Sequence, residues 1–195
     1  MAWIYSVTDS VPWLNSKNTQ QIITNTWAFY EYFKDKMTKG AMAGVLGNIR
    51  RESYLNPGQQ ELGKSGNVQY GYGLIQWTPS TSLTSYVTGS WYDGNVQCEL
   101  IEREGNLDAS LGGARWIKTA EYSYTWQEFC QLTDVAEATK AYLFERERAG
   151  VSALEQRLAY ANEEFEILGG TPPTPTPTKK KKMPVWMMCA NRKRV

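Results

Sequence analysis

The sequence predicts a mainly α-helical domain, of α+β type through one small glycine-rich hairpin or loop region. Three observations predict it. Apolar residues recur at three–four spacing over most of the chain, which is the signature of amphipathic helices. Residues 58–78 break that pattern, with Gly58, Gly63, Gly66, Gly71 and Gly73 among few aliphatics. The composition, 42% hydrophobic and 21% charged, is that of an ordinary globular body.

Taken in order, residues 18–37 read as a first helix. Ile23, Trp27, Tyr30 and Met37 hold the spacing, with Ile22, Thr26, Phe29 and Phe33 beside them, and Gly40 supplies a stop. A second helix is predicted over 41–53. The stretch 58–78 is expected to form turns and a small irregular hairpin. Helices follow over 91–104, 124–132 and 135–148. The last, 152–168, has the most regular stripe, Leu154, Leu158, Ala161, Phe165 and Leu168, with the acids and Arg157 outside it.

Residues 1–168 therefore form one predicted domain with a single core. Residues 169–178 are a Pro/Thr-rich, extended linker. Residues 179–195 form a basic, partly apolar tail carrying seven Lys and Arg and no acid. The other 178 residues hold 14 Lys and Arg against 20 Asp and Glu, a net charge of −6. A nucleic-acid partner is not expected, because the positive charge is absent from the folded body. The tail suits an anionic wall polymer, a membrane surface or a virion component. There is no basic-then-apolar leader, and no apolar run approaches the roughly 20 residues of a membrane span.

The chain has no histidine, and its three cysteines, Cys98, Cys130 and Cys189, form no Cys-x-x-Cys pair. That removes Ser-His-Asp and Cys-His catalysis and histidine-based zinc hydrolysis. Acid–base work falls to carboxylates, Tyr or Lys. No metal and no cofactor are expected. The aromatic share, 13% with eight Trp and twelve Tyr, fits either a Trp/Tyr-rich core or a cleft lined by flat rings that stack on sugars.

One carboxylate stands out. On the second helix Met42, Val45, Leu46 and Ile49 define an apolar face, and the next position on it is Glu52. Asn56-Pro57 ends the helix soon after, so Glu52 sits at its negative end. Partial burial and the helix dipole both favour the protonated carboxyl that a general acid needs. The alternative is a glutamate ion-paired to an arginine. A second block, Tyr70-Gly-Tyr-Gly-Leu-Ile-Gln-Trp-Thr-Pro79, gathers glycines, aromatic rings and an amide. Gln76 can donate to and accept from acetamido and hydroxyl groups, and Gly71 and Gly73 allow close backbone approach.

The two blocks, Glu52-Ser-Tyr-Leu-Asn-Pro57 and Gly71-Tyr-Gly-Leu-Ile-Gln-Trp-Thr78, resemble the lysozyme-like superfamily, in particular the phage tail lysozymes. Their order and spacing are also similar to the motifs of lytic transglycosylases. A third segment, 138–150, resembles a closing phage motif ending Tyr-Glu-Arg-Pro, except that Glu147-Arg148 is followed by Ala149. The resemblance covers about residues 20–168. It implies a helical lysozyme-like fold with a substrate cleft, acting on bacterial peptidoglycan as a virion component or released lysin. The residue matching Glu52 would protonate the β-1,4 glycosidic oxygen between N-acetylmuramic acid and N-acetylglucosamine. Gln76 and its neighbours Tyr72, Gly73 and Trp77 would bind the sugars.

Two-carboxylate hydrolysis needs a partner roughly 5–9.5 Å away. Glu61 is the only acid between Ser53 and Tyr92, and the loop there can carry it across a cleft. Asp93 and Glu147 are remoter candidates. Without a partner, substrate assistance takes over, and attack by the C6 hydroxyl gives a transglycosylase with 1,6-anhydro products. A non-catalytic wall-binding or virion structural module is the reading from a different class.

Overall fold

The computed structural model describes residues 2–10, 18–111, 115–149 and 152–169; the linker beyond Gly169 and the basic tail lie outside the described residues. The fold is mainly α. Helices α1 (Asn18–Phe33), α2 (Lys39–Ser53), α3 (Thr81–Thr84), α4 (Gly94–Gly105), α5 (Trp126–Cys130), α6 (Val135–Tyr142) and α7 (Leu154–Ile167) follow in order. No helix among the described residues is long and apolar enough to cross a membrane.

Helix α2 is the central element, packed between α6 and α7. Its sequence permits this through small residues. A Cβ on Gly44 would stand 2.7 Å from Ala138 Cβ, and one on Gly47 would stand 2.6 Å from both Ala161 Cβ and the Arg157 carbonyl. The neighbouring helices therefore approach the α2 backbone directly. Thr38 caps its N-terminus, accepting the Ala41 amide at 3.1 Å. At the other end Tyr54 and Leu55 both adopt left-handed backbone, a reversal that turns the chain into the glycine-rich segment. Met42, Val45, Leu46 and Ile49 are all buried, so the predicted apolar face of α2 is the real one.

Other faces differ from the prediction. In α1 the buried row is Ile22, Asn25, Thr26, Phe29 and Phe33, while Ile23 is exposed; the helix closes at Phe33 and a turn carries the chain to Met37. In α7 the buried residues are Arg157, Ala161 and Glu164, with Leu154, Leu158 and Phe165 only half-buried. The physical reason is ionic: Arg157 reaches Glu52, and Glu164 accepts from Arg50 at 3.0 Å and from Thr26. Each charge enters the core with its counter-charge. The helix predicted over 135–148 is α6 followed by one wide turn of π type, Leu143–Glu147, closed by a 2.7 Å bond from the Arg148 amide to the Leu143 carbonyl.

The segment 58–78 forms isolated bridges, Gln60 with Tyr72 and Tyr72 with Trp77, and residues 2–10 run alongside it through a bridge from Thr8 to Gln59. Side chains replace the missing ladder. Buried Gln97 of α4 accepts the Leu74 amide at 2.7 Å and donates to the carbonyls of Pro57 (2.8 Å) and Trp91 (2.6 Å). Ser53 Oγ donates to the Leu74 carbonyl at 2.7 Å, and Asn56 brackets Ser6 through both its amide and its carbonyl. These bonds hold the segment in place where a strand ladder would otherwise do so.

Candidate active site

Where α2 ends, the glycine-rich segment, the π turn and the start of α7 enclose a cleft of about 820 Å³. Glu52 and Arg51 enter it from α2. Gln59, Gln60, Glu61, Ile75, Gln76 and Trp77 line it from the glycine-rich segment. Arg146, Glu147 and Arg148 line it from the π turn, and Arg115 from the loop before α5. Tyr72 and Gly73 do not line it. Tyr72 is buried behind the wall, its ring centroid 4.8 Å from that of Trp91. Gly73 carries φ +81°, and a Cβ there would meet the Gln97 amide at 2.8 Å, so its glycine serves the turn and the Gln97 contact.

Glu52 sits in the last turn of α2, ion-paired to Arg157 of α7. Arg157 is itself almost wholly buried, and every arm of its guanidinium is engaged: Nε with the Ser152 carbonyl at 2.8 Å, Nη1 with Asn48 Oδ1 at 3.1 Å, Nη2 with Glu52 Oε1. Asn48 is fixed in turn by donating to the carbonyls of Gly44 and Thr139. Glu52 is thus a glutamate in an arginine clamp at the cleft floor, and not a carboxyl at an apolar edge.

Beside it stands Glu147. Its Oε1 is buried with no hydrogen-bond partner among the described residues. Burial, and next the negative charge of Glu52, push its carboxyl up to about 8. The raised carboxyl is therefore carried by the π turn. Glu61 takes a different posture: Gly71 donates its amide to Oε2 at 3.1 Å, which ties the carboxylate across the base of its own loop at the cleft rim. Asp93 is not in the cleft; it caps α4 by accepting the Asn95 amide at 2.9 Å.

Gln76 has left-handed backbone, and its Nε2 donates to the carbonyls of Gly73 (3.0 Å) and Gln59 (3.3 Å). Both donors are spent on the wall, so its amide oxygen is the atom left for a ligand. Trp77 is buried and donates Nε1 to Glu104 Oε1 at 3.1 Å. Glu104, buried in α4, also accepts from Arg146 Nε at 3.0 Å. This Trp77–Glu104–Arg146 junction joins the glycine-rich wall to the π turn. The sequence reading missed Arg157, Glu104 and Arg146. A signal for the first was present: Arg157, Ala161, Glu164 and Leu168 share helical spacing, with a small residue opposite Gly47. Among the described residues no three His, Cys, Asp or Glu side chains gather closely enough to hold a metal ion.

A family model described as phage tail lysozyme matches residues 24–168, which takes in α2, the glycine-rich segment, the π turn and α7. The chain is also similar to Morphogenesis protein 1 of Bacillus phage B103, 31% identical over 142 residues, or 68% of this chain. It spans only 36% of that protein's own length. With the match covering most of the folded body, the chain belongs to the phage tail lysozyme family.

Proposed function

We propose that this chain is a peptidoglycan glycosidase that cleaves the β-1,4 bond between N-acetylmuramic acid and N-acetylglucosamine, serving a phage at the bacterial cell wall. The observation that carries the reading is the pair Glu52 and Glu147, two carboxyl groups in one cleft held in unlike ways. The pair carries one proton, held at rest on Glu147, whose buried carboxyl is raised to about 8. It passes from Glu147 to Glu52, aimed by Arg157, and from there to the glycosidic oxygen as the bond breaks, which leaves Glu147 as the carboxylate. Glu61 accepts the proton of the attacking water at the rim, and Gln76 and Trp77 shape the sugar site. The family assignment supports a lysozyme-like role at the wall, and the relative's name, a morphogenesis protein, supports a place in the virion over a released lysin.

The test is zymography on purified walls with mass analysis of the released sugars. Glu52→Gln keeps size and hydrogen bonding but cannot carry the proton, so lysis is expected to fall about 100-fold or more while wall binding persists. Unchanged lysis would end the assignment. A transglycosylase reading is favoured by the tie of Glu61 to Gly71, which limits its reach. Products ending in 1,6-anhydro sugars, with Glu61→Gln fully active, would establish it.

A further inference from the structure

Uncharged sugar rings need no guanidinium, yet Arg51, Arg115, Arg146 and Arg148 all line the cleft. Away from these, Arg50, Arg103 and Arg157 each have a carboxylate within 3 Å. Arg146 is likewise committed, to Glu104. Arg51, Arg115 and Arg148 are not, and of these Arg115 and Arg148 stand close enough for the charge of one to act on the other. Arg115 lies 3.9 Å from Glu104 and 3.5 Å from Ser82 Oγ, both at the outer limit of contact. Arg148 has no ion pair among the described residues, and its left-handed backbone at the end of the π turn sends it into the cleft beside Glu147. Burial, then the charges of Arg146 and Arg115, push its guanidinium below the usual arginine range. Among the described residues, Glu104 is the carboxylate within ion-pair reach of Arg115 and Arg146, and none stands within that reach of Arg148.

We propose that Arg115 and Arg148 form a subsite for a carboxylate on the peptide stem of the muramoyl sugar, so that the cleft selects peptide-bearing glycan over bare glycan. This rests on the peptidoglycan reading above. The guanidinium fork matches a planar carboxylate with two parallel hydrogen bonds. The location fits: the pair of arginines adjoins the carboxyl pair, where the muramoyl ring sits and its stem projects, once every second sugar. A phosphodiester of an accessory wall polymer has no such fixed register with the scissile bond.

Calorimetric binding of soluble probes tests it. N-acetylglucosaminyl-N-acetylmuramoyl peptide contains no bond of the type cleaved, so turnover does not interfere. The unaltered chain is expected to bind it about tenfold more tightly than the peptide-free disaccharide with its lactyl carboxyl capped as the amide, as one charged hydrogen-bonded pair provides. In Arg115→Gln/Arg148→Gln that preference disappears and the two probes bind alike. Arg148→Gln alone, at an exposed position, answers the same question if the double variant loses its cooperative melt. Equal binding of both probes by the unaltered chain overturns the subsite while leaving the glycosidase reading intact. A preference that survives the substitutions does the same. Competition by a glycerol-phosphate oligomer as strong as that of the disaccharide peptide reassigns the arginines to phosphate. Binding of neither disaccharide overturns the peptidoglycan reading itself.

Discussion

On the α2–α7 side of the cleft, Glu52 is held by regular helices at minimal separation, with Gly47 against Ala161 and the charge of Arg157 buried between them. On the glycine-rich side, Gln76 and Trp77 are held by almost no regular structure. The loop that carries them is pinned at Leu74 by Gln97 and Ser53, at Gly58 by Asn56 and at Gly71 by Glu61, and the Trp77 side chain is held by Glu104. The first wall derives its rigidity from steric fit plus one ion pair. The second derives it from several hydrogen bonds spread along a loop. Damage to the two walls should therefore differ in kind: loss of one buried partner is felt globally in the helical wall and locally in the other.

The largest expected effect is in the helical wall. Arg157→Met removes the counter-charge of Glu52 and the donors to Asn48 and Ser152 together, which costs about 3–5 kcal/mol and lowers the Tm by about 10 °C. Activity should fall with it even below the new melting temperature, because Glu52 loses its aim. A variant with unchanged Tm and unchanged lysis breaks the comparison. Next is Gln97→Leu in the loop wall. It strands the Leu74 amide and the carbonyls of Pro57 and Trp91, at about 2–3 kcal/mol. Amide exchange should quicken over residues 57–78 while α2 and α7 keep their protection; uniform loss of protection would show that the walls are one unit.

The last effect is a pH dependence shared by the π turn and α7. Glu147 at about 8, Glu145 at about 7 and Glu164 at about 6 are all raised above 4.5, each first through burial. A raised carboxyl binds its proton more tightly in the folded chain. Its contribution to stability is full below 4.5 and is lost as pH rises to the folded value. Thermal stability should therefore decline from pH 5 to pH 8, and Glu147→Gln should flatten the upper part of that decline. The alkaline limb of lysis should lie near pH 8, where Glu147 gives up its proton.

The helical wall was largely legible in the sequence, and the loop wall was not, for a physical reason. Periodicity reports where apolar side chains recur, so Met42, Val45, Leu46 and Ile49 led correctly to the face that ends on Glu52. The same rule misread α7, because two of the residues buried there, Arg157 and Glu164, are charged and their partners lie on α2. Glycines marked the loop wall, but nothing local links Gln97 to Leu74 or Glu104 to Trp77. Tyr72 and Gly73 share a motif with Gln76 yet stand behind the cleft, since adjacent residues in a tight turn face different ways. Glu147 was visible only as a remote acid, and it took the wide turn after α6 to bring it beside Glu52.

The clamp on Glu52 also has a consequence in time. Its arginine lies 105 residues further along the chain. At bacterial rates of synthesis roughly 5–20 s separate the two leaving the ribosome. Through that interval the glutamate exists without the group that aims it. The cleft around Glu52 can take its shape only once α7 has been made and has closed over α2.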